Sequence, residues 1–101
     1  MAFERIMGIY VIDDIEYQNY REGMLPILKS FGGSFGFDFK VSKVLLSKTE
    51  DDINRVFTID FPSKKLMDDF FSDSDYLNVK ERYFDNSVKS KTVISMHEKN
   101  T

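Results

Sequence analysis

The sequence predicts an α+β fold in which a four-stranded antiparallel sheet carries its helices on one face, in the order βαββαβ. Three observations lead to it. Arg5–Ile12 and Arg55–Phe61 are short stretches rich in β-branched and aromatic residues, as buried strands are. Tyr17, Tyr20, Met24, Ile27, Leu28 and Phe31 recur largely at steps of three and four, the spacing of one helix face. Phe35, Phe37, Phe39 and Val41 alternate with Gly36, Asp38 and Lys40, which is the period of a strand.

In chain order, Arg5–Ile12 has almost no polar break and reads as a central strand buried on both faces. Asp13-Asp14 stops it, and Asp13 with Glu16 makes a capping pair for the first helix. Pro26, one turn after Gly23, removes a helical hydrogen bond at a cost of ~3 kcal/mol. It predicts a kink or a restart near Met24. Gly32-Gly33 ends the helix, because glycine enters the left-handed region cheaply. The second strand is expected to continue through Val44–Leu46 past a bulge. The polar stretch Ser47–Asp52 that follows is too short for a helix, so the strands flanking it form an antiparallel pair. Pro62 ends the third strand, Ser63 caps a helix to about Phe71, and Ser74 or Asp75 caps another through Phe84. Lys91–His97 is the last strand and 98–101 a frayed tail of a single domain spanning 1–101.

Composition narrows the function classes. The absence of cysteine excludes disulfides, thiolate metal sites and cysteine nucleophiles. A single histidine, His97, removes any multi-histidine cluster, and it reads as an exposed or barrel-end residue. Asp68, Asp69, Asp73 and Asp75 lack the regular spacing and glycine turn of a calcium loop. No metal and no cofactor is expected. A net charge of −3 with both signs interspersed argues against nucleic acid. No apolar run approaches the ~20 residues that span a bilayer, and the first residues lack the pattern of a cleaved signal. A cytoplasmic protein without a membrane partner is the expectation. Ten phenylalanines exceed what one small core needs. Helices on one face leave the other bare, so two copies are expected to stack their open sheet faces as a two-fold homodimer.

Gly32-Gly33, Ile53-Asn54-Arg55-Val56-Phe57, Phe61-Pro62-Ser63 and Asp73-Ser74-Asp75-Tyr76, in that order and spacing, resemble the uncharacterised family known as domain of unknown function 1330. The resemblance runs from about Met7 to His97. Where many members carry Arg-Gly-Gly at the end of the second strand, this chain has Asp38-Phe39-Lys40-Val41. The resemblance implies the dimeric α+β barrel superfamily with its ferredoxin-like fold, and a homodimer with a cleft between helices and sheet in each subunit. That superfamily includes cofactor-independent monooxygenases, isomerases, haem enzymes and amino-acid-sensing domains, so the resemblance implies architecture more than chemistry. Its haem-degrading members use Trp and His on earlier elements, and this chain has neither there.

Six residues are candidates for binding a ligand. Asp38 and Asp60 are strand carboxylates; on one face together with Thr58 they would form a polar patch in which a desolvated acid could act as a base. Otherwise each is paired, with Lys40 or Arg55, or reaches water. Arg55 could hold a ligand carboxylate or enolate, or pair with Glu50, Asp51 or Asp52. Tyr17, Tyr20 and Tyr76 face the sheet from their helices, as core or as the wall of a cleft for a flat apolar ligand. Arg21 and Glu16 read as solvated helix charges. The leading expectation is a small-molecule-binding or stress-associated homodimer whose cleft holds an apolar or aromatic ligand. A cofactor-independent monooxygenase or isomerase, with Asp38 or Asp60 as base and Arg55 on the oxyanion, is the alternative. A purely structural dimerisation domain, its cleft filled by phenylalanines, is the third.

Overall fold

A computed structural model describes residues 1–99 of the chain. β1 (Ala2–Val11) is followed by α1 (Asp14–Ser30), β2 (Ser34–Lys40), β3 (Arg55–Phe61), α2 (Lys64–Ser72) and α3 (Ser74–Val79). A π-helical turn (Lys80–Phe84), a last helical turn (Asp85–Ser87) and β4 (Val88–Lys99) complete it. All strand pairs are antiparallel in the order β2-β3-β1-β4. This is the predicted βαββαβ arrangement.

Register assigns the two faces of the sheet. Phe3, Met7 and Ile9 of β1 lie opposite Phe61, Phe57 and Arg55 of β3, and with Val11 and Ile59 they point at the helices. α1 answers with Tyr17, Tyr20, Met24 and Leu28, and α2 with Met67 and Phe70. Leu28, Tyr17 and Phe70 are fully buried, each stabilising the fold by about 1.5–3 kcal/mol. The opposite face carries Glu4, Ile6, Gly8 and Tyr10 of β1 against Asp60, Thr58 and Val56 of β3. No helix covers it.

The caps explain the element ends. Asp13 accepts from the Glu16 amide at 3.0 Å and Ser63 from the Leu66 amide at 3.2 Å, both as predicted. The cap of α3 is Asp73, which accepts from the Tyr76 amide at 3.0 Å, rather than Ser74 or Asp75. After Phe31, Gly32 takes φ +75° and its amide and that of Gly33 reach back to Lys29 and Leu28 at 2.9 Å.

Four further expectations are corrected. α1 runs unbroken through Pro26, because Pro26 lies on the solvent face while Met24 and Leu28 anchor the helix to the sheet. Val44–Leu46 does not extend β2; those residues are exposed in the 41–54 connection. The irregularity falls instead within β2, between Phe35 and Asp38. β4 is longer than predicted at both ends: pairing with β1 begins at Val88 and takes in Glu98 and Lys99, two residues of the expected tail. The rest of that tail, 100–101, lies outside the described residues.

Candidate functional site

Between the helices and the sheet lies a cavity of about 240 Å³. Its floor comes from β1 and β3 through Met7, Ile9, Phe57 and Ile59, and its walls from Tyr17, Tyr20 and Met24 of α1 with Phe71 and Tyr76. The π-helical turn adds Phe84 and Lys80. Such turns widen a helix by one residue, and here the Asp85 amide reaches back to the Lys80 carbonyl. The walls are mostly apolar and aromatic, with few polar groups, which is the character of a small-ligand site.

A charge cluster stands beside the cavity and reaches it through Arg21 and Tyr17. Arg55 grips Asp38 with two hydrogen bonds, Nε to Oδ1 at 2.9 Å and Nη2 to Oδ2 at 2.7 Å. Arg21 adds a third, from Nη1 to Oδ2 at 3.3 Å, and donates from Nε to the Tyr17 hydroxyl at 2.8 Å. Its guanidinium lies 3.9 Å from the ring centre of Phe35 and 4.8 Å from that of Phe57. Burial pushes the Asp38 carboxyl upward, but the hydrogen bonds and charges of Arg55 and Arg21 outweigh it and hold the group below the usual carboxylate range. Burial raises the Tyr17 hydroxyl despite the adjacent arginines.

Further along the cavity, the Tyr20 and Tyr76 hydroxyls lie 2.9 Å apart. Burial, and for Tyr20 the neighbouring phenol, push both upward in pKa, so both are neutral at physiological pH. Arg5 also enters here from β1, between Ile59 and Met96 in register. Its guanidinium lies 4.6 Å from the ring centre of Phe71, and its Nε is buried without an acceptor. Burial lowers its pKa from the ordinary arginine value.

The structure therefore brings Asp38 and Arg55, which do not line the cavity, against Tyr17 in its wall, and places Tyr20 and Tyr76 together further along that wall. Asp60 stands apart. The irregularity in β2 puts Asp38 opposite Phe57 on the helix side, whereas Asp60 lies opposite Glu4 on the open face. There Glu4 accepts from Lys99 at 3.5 Å and is 2.9 Å from His97 Nε2, while His97 Nδ1 is 2.6 Å from the Ser95 hydroxyl. Burial and the Glu4 carboxylate raise the Asp60 pKa; burial acts upward on Glu4 too, but hydrogen bonds from Asp60 and His97, with Lys99, lower it. His97 is thus tied into a network rather than free at a barrel end. Arg55 pairs with Asp38 and not with Glu50, Asp51 or Asp52. Arg21 is no solvated charge, its side chain being only 12% exposed; Glu16 is half-buried and accepts from Asn19 at 3.2 Å.

Arg5 was readable in the sequence, since it is in phase with Met7, Ile9 and Val11, the core positions of β1. No three of His, Asp and Glu among the described residues come together as a metal would need. No helix among the described residues is long and apolar enough to cross a membrane.

No protein-family model and no curated protein matches the sequence. Solved structures do. A protein of unknown function from Rhodopseudomonas palustris superposes with a TM-score of 0.79 at 13% identity, covering 99% of this chain and 83% of that one. A dabb family protein with a ferredoxin-like fold from Mesorhizobium loti gives 0.68 at 10% identity over 99% and 98%. A dimeric protein of unknown function with a ferredoxin-like fold from Bacteroides fragilis gives 0.62 at 9% identity over 96% and 95%. At these identities the likeness concerns the fold, and the fold of this chain is ferredoxin-like.

Proposed function

We propose that this chain is a homodimeric small-molecule-binding protein whose cleft holds an apolar or aromatic ligand. The observation that carries the reading is the cavity of about 240 Å³ with aromatic walls and a neutral pair of tyrosine hydroxyls. A dry apolar cavity of roughly 150 Å³ accommodates benzene, so this one suits a substituted ring or a fused pair. A filled cleft would instead favour a structural domain, and the phenylalanines Phe37 and Phe39 stack on each other outside it.

The homodimer is supported by the open sheet face. Phe37 is 63% exposed and Phe39 55%, beside Val56 in the register, and the dimeric Bacteroides fragilis protein has the same fold. The enzymatic alternative has less behind it. Asp38 and Arg55 do converge, but a carboxylate occupied by two arginines and held at low pKa is a weak base. Asp60 lies on the far side of the sheet from the cavity.

Native mass spectrometry of the purified protein under gentle and denaturing conditions tests the reading. A dimer releasing a small molecule on denaturation is the expected result. A dimer with nothing bound shifts the weight to the structural domain, and a monomer at micromolar concentration removes the dimer.

A further inference from the structure

We propose that the ligand of this cavity is a carboxylate on an apolar or aromatic body, and that Arg5 is the residue that grips its charged end. The inference rests on the small-molecule reading above and deepens it. Apart from Lys91, which is exposed and has no acid within ion-pair distance among the described residues, the other cations around the cavity are matched by acids. Arg21 and Arg55 share Asp38, and Lys80 meets Asp85 at 3.0 Å. Arg5 alone of the arginines facing the helix layer has no acid within ion-pair distance among the described residues; its Nε is buried without an acceptor, as is Nη2 of the acid-paired Arg21. Arg5 is half-buried without a counter-charge, which is destabilising, and stacking on Phe71 leaves its Nε–H unsatisfied.

The surroundings point the same way. Arg5, Arg21, Lys80 and Lys91 line the cavity, and no Asp or Glu does, so the field inside an apolar enclosure favours an anion. The guanidinium offers paired donors in one plane, the match for the two oxygens of a carboxylate. The two tyrosine hydroxyls share one hydrogen bond, which leaves one phenolic hydrogen free to donate to a ligand oxygen. The volume then sets the apolar body at about the size of a fused ring pair.

The test uses 2-naphthoate and its neutral isostere 2-naphthamide, titrated at low salt and neutral pH into isotopically labelled protein and followed by NMR. The expected result is naphthoate binding at least about tenfold more tightly, as a charge-assisted pair gives over a neutral one. In Arg5→Met the preference should vanish while the amide keeps its wild-type affinity; Arg5→Gln repeats the test should the first variant not fold. Equal binding of acid and amide by the wild type overturns the carboxylate and leaves the cavity reading standing. A preference that survives both substitutions shows the anion held by another cation and overturns the role of Arg5. Neither probe shifting cavity resonances at millimolar concentration overturns both readings together.

Discussion

The two faces of this one sheet are built from neighbouring residues of the same strands, yet they answer to different demands. On the helix side, Phe3, Met7 and Ile9 of β1 and Phe57, Ile59 and Phe61 of β3 are buried against α1 and α2. On the open side, Glu4, Asp60 and His97 form a polar network at one end, while Phe37 and Phe39 stand exposed towards the other. The helix face is closed over β1 and β3 around a cavity, while Val93 and Met96 of the edge strand β4 stay about half exposed. The open face holds apolar area that the chain itself does not cover, which is the condition for a partner surface. Substitutions of the same chemical size should therefore have different readouts on the two sides.

The largest effect is expected on the closed side. Phe70 is fully buried and packs its ring within 6.0 Å, centre to centre, of those of Phe31, Phe61, Phe71 and Tyr76. Phe70→Ala should cost about 3–5 kcal/mol, read as a collapse of the denaturant midpoint. A loss under 1 kcal/mol, roughly the size of an ordinary surface change, would mean the core is not organised around it. On the open side, Phe37→Ser with Phe39→Ser should leave the monomer fold nearly unchanged and weaken the dimer by about 1–2 kcal/mol per ring. Sedimentation across a concentration series reads this directly. An unaltered dimer would move the interface away from these rings.

These rings also show what could be read from the sequence and what could not. The alternation of Phe35, Phe37 and Phe39 identified β2 and implied that all three share a face. They do not. Phe35 packs on Phe57 on the helix side at 5.7 Å between ring centres, while Phe37 and Phe39 stack on the open side. The irregularity lies at Gly36, where an added Cβ would come within 2.5 Å of the Thr58 hydroxyl and where the Phe37 amide donates to that hydroxyl at 2.8 Å. One extra residue reverses every side chain beyond it, and hydropathy does not register the insertion. That single step moved Asp38 to the helix side and separated it from Asp60. Helix spacing, by contrast, placed Tyr17 and Tyr20 correctly, because α1 runs as a regular α-helix with no such insertion. The partnership of Arg21 with Asp38 joins α1 to β2, and no local pattern encodes it. Arg5 was legible by parity alone. A charged residue at the head of an apolar run reads as a boundary, although its parity assigned it to the core side.

The smallest effect is expected at the polar end of the open face. Burial and the neighbouring Glu4 carboxylate raise the Asp60 pKa above its unfolded value, so folding favours the protonated form. For an acid with a raised folded pKa, stability is intact below the unfolded value of about 3.9 and is lost as pH climbs through the folded one. Asp60→Asn cannot ionise and should escape that loss. The variant should melt slightly above the wild type at pH 7, by no more than about 1 kcal/mol since Lys99 partly offsets the repulsion in the native protein. The gap should close below about pH 4, where Asp60 is protonated in both folded and unfolded chains. A variant that melts lower at pH 7 would mean that the Lys99 pair outweighs the Glu4 contact. The same carboxylates report on the dimer, because a second copy seated here would withdraw them further from water and enlarge the pH 7 gap. Measured in the Phe37→Ser, Phe39→Ser background, the gap should then shrink; an equal gap in both backgrounds would leave this end of the face outside the interface.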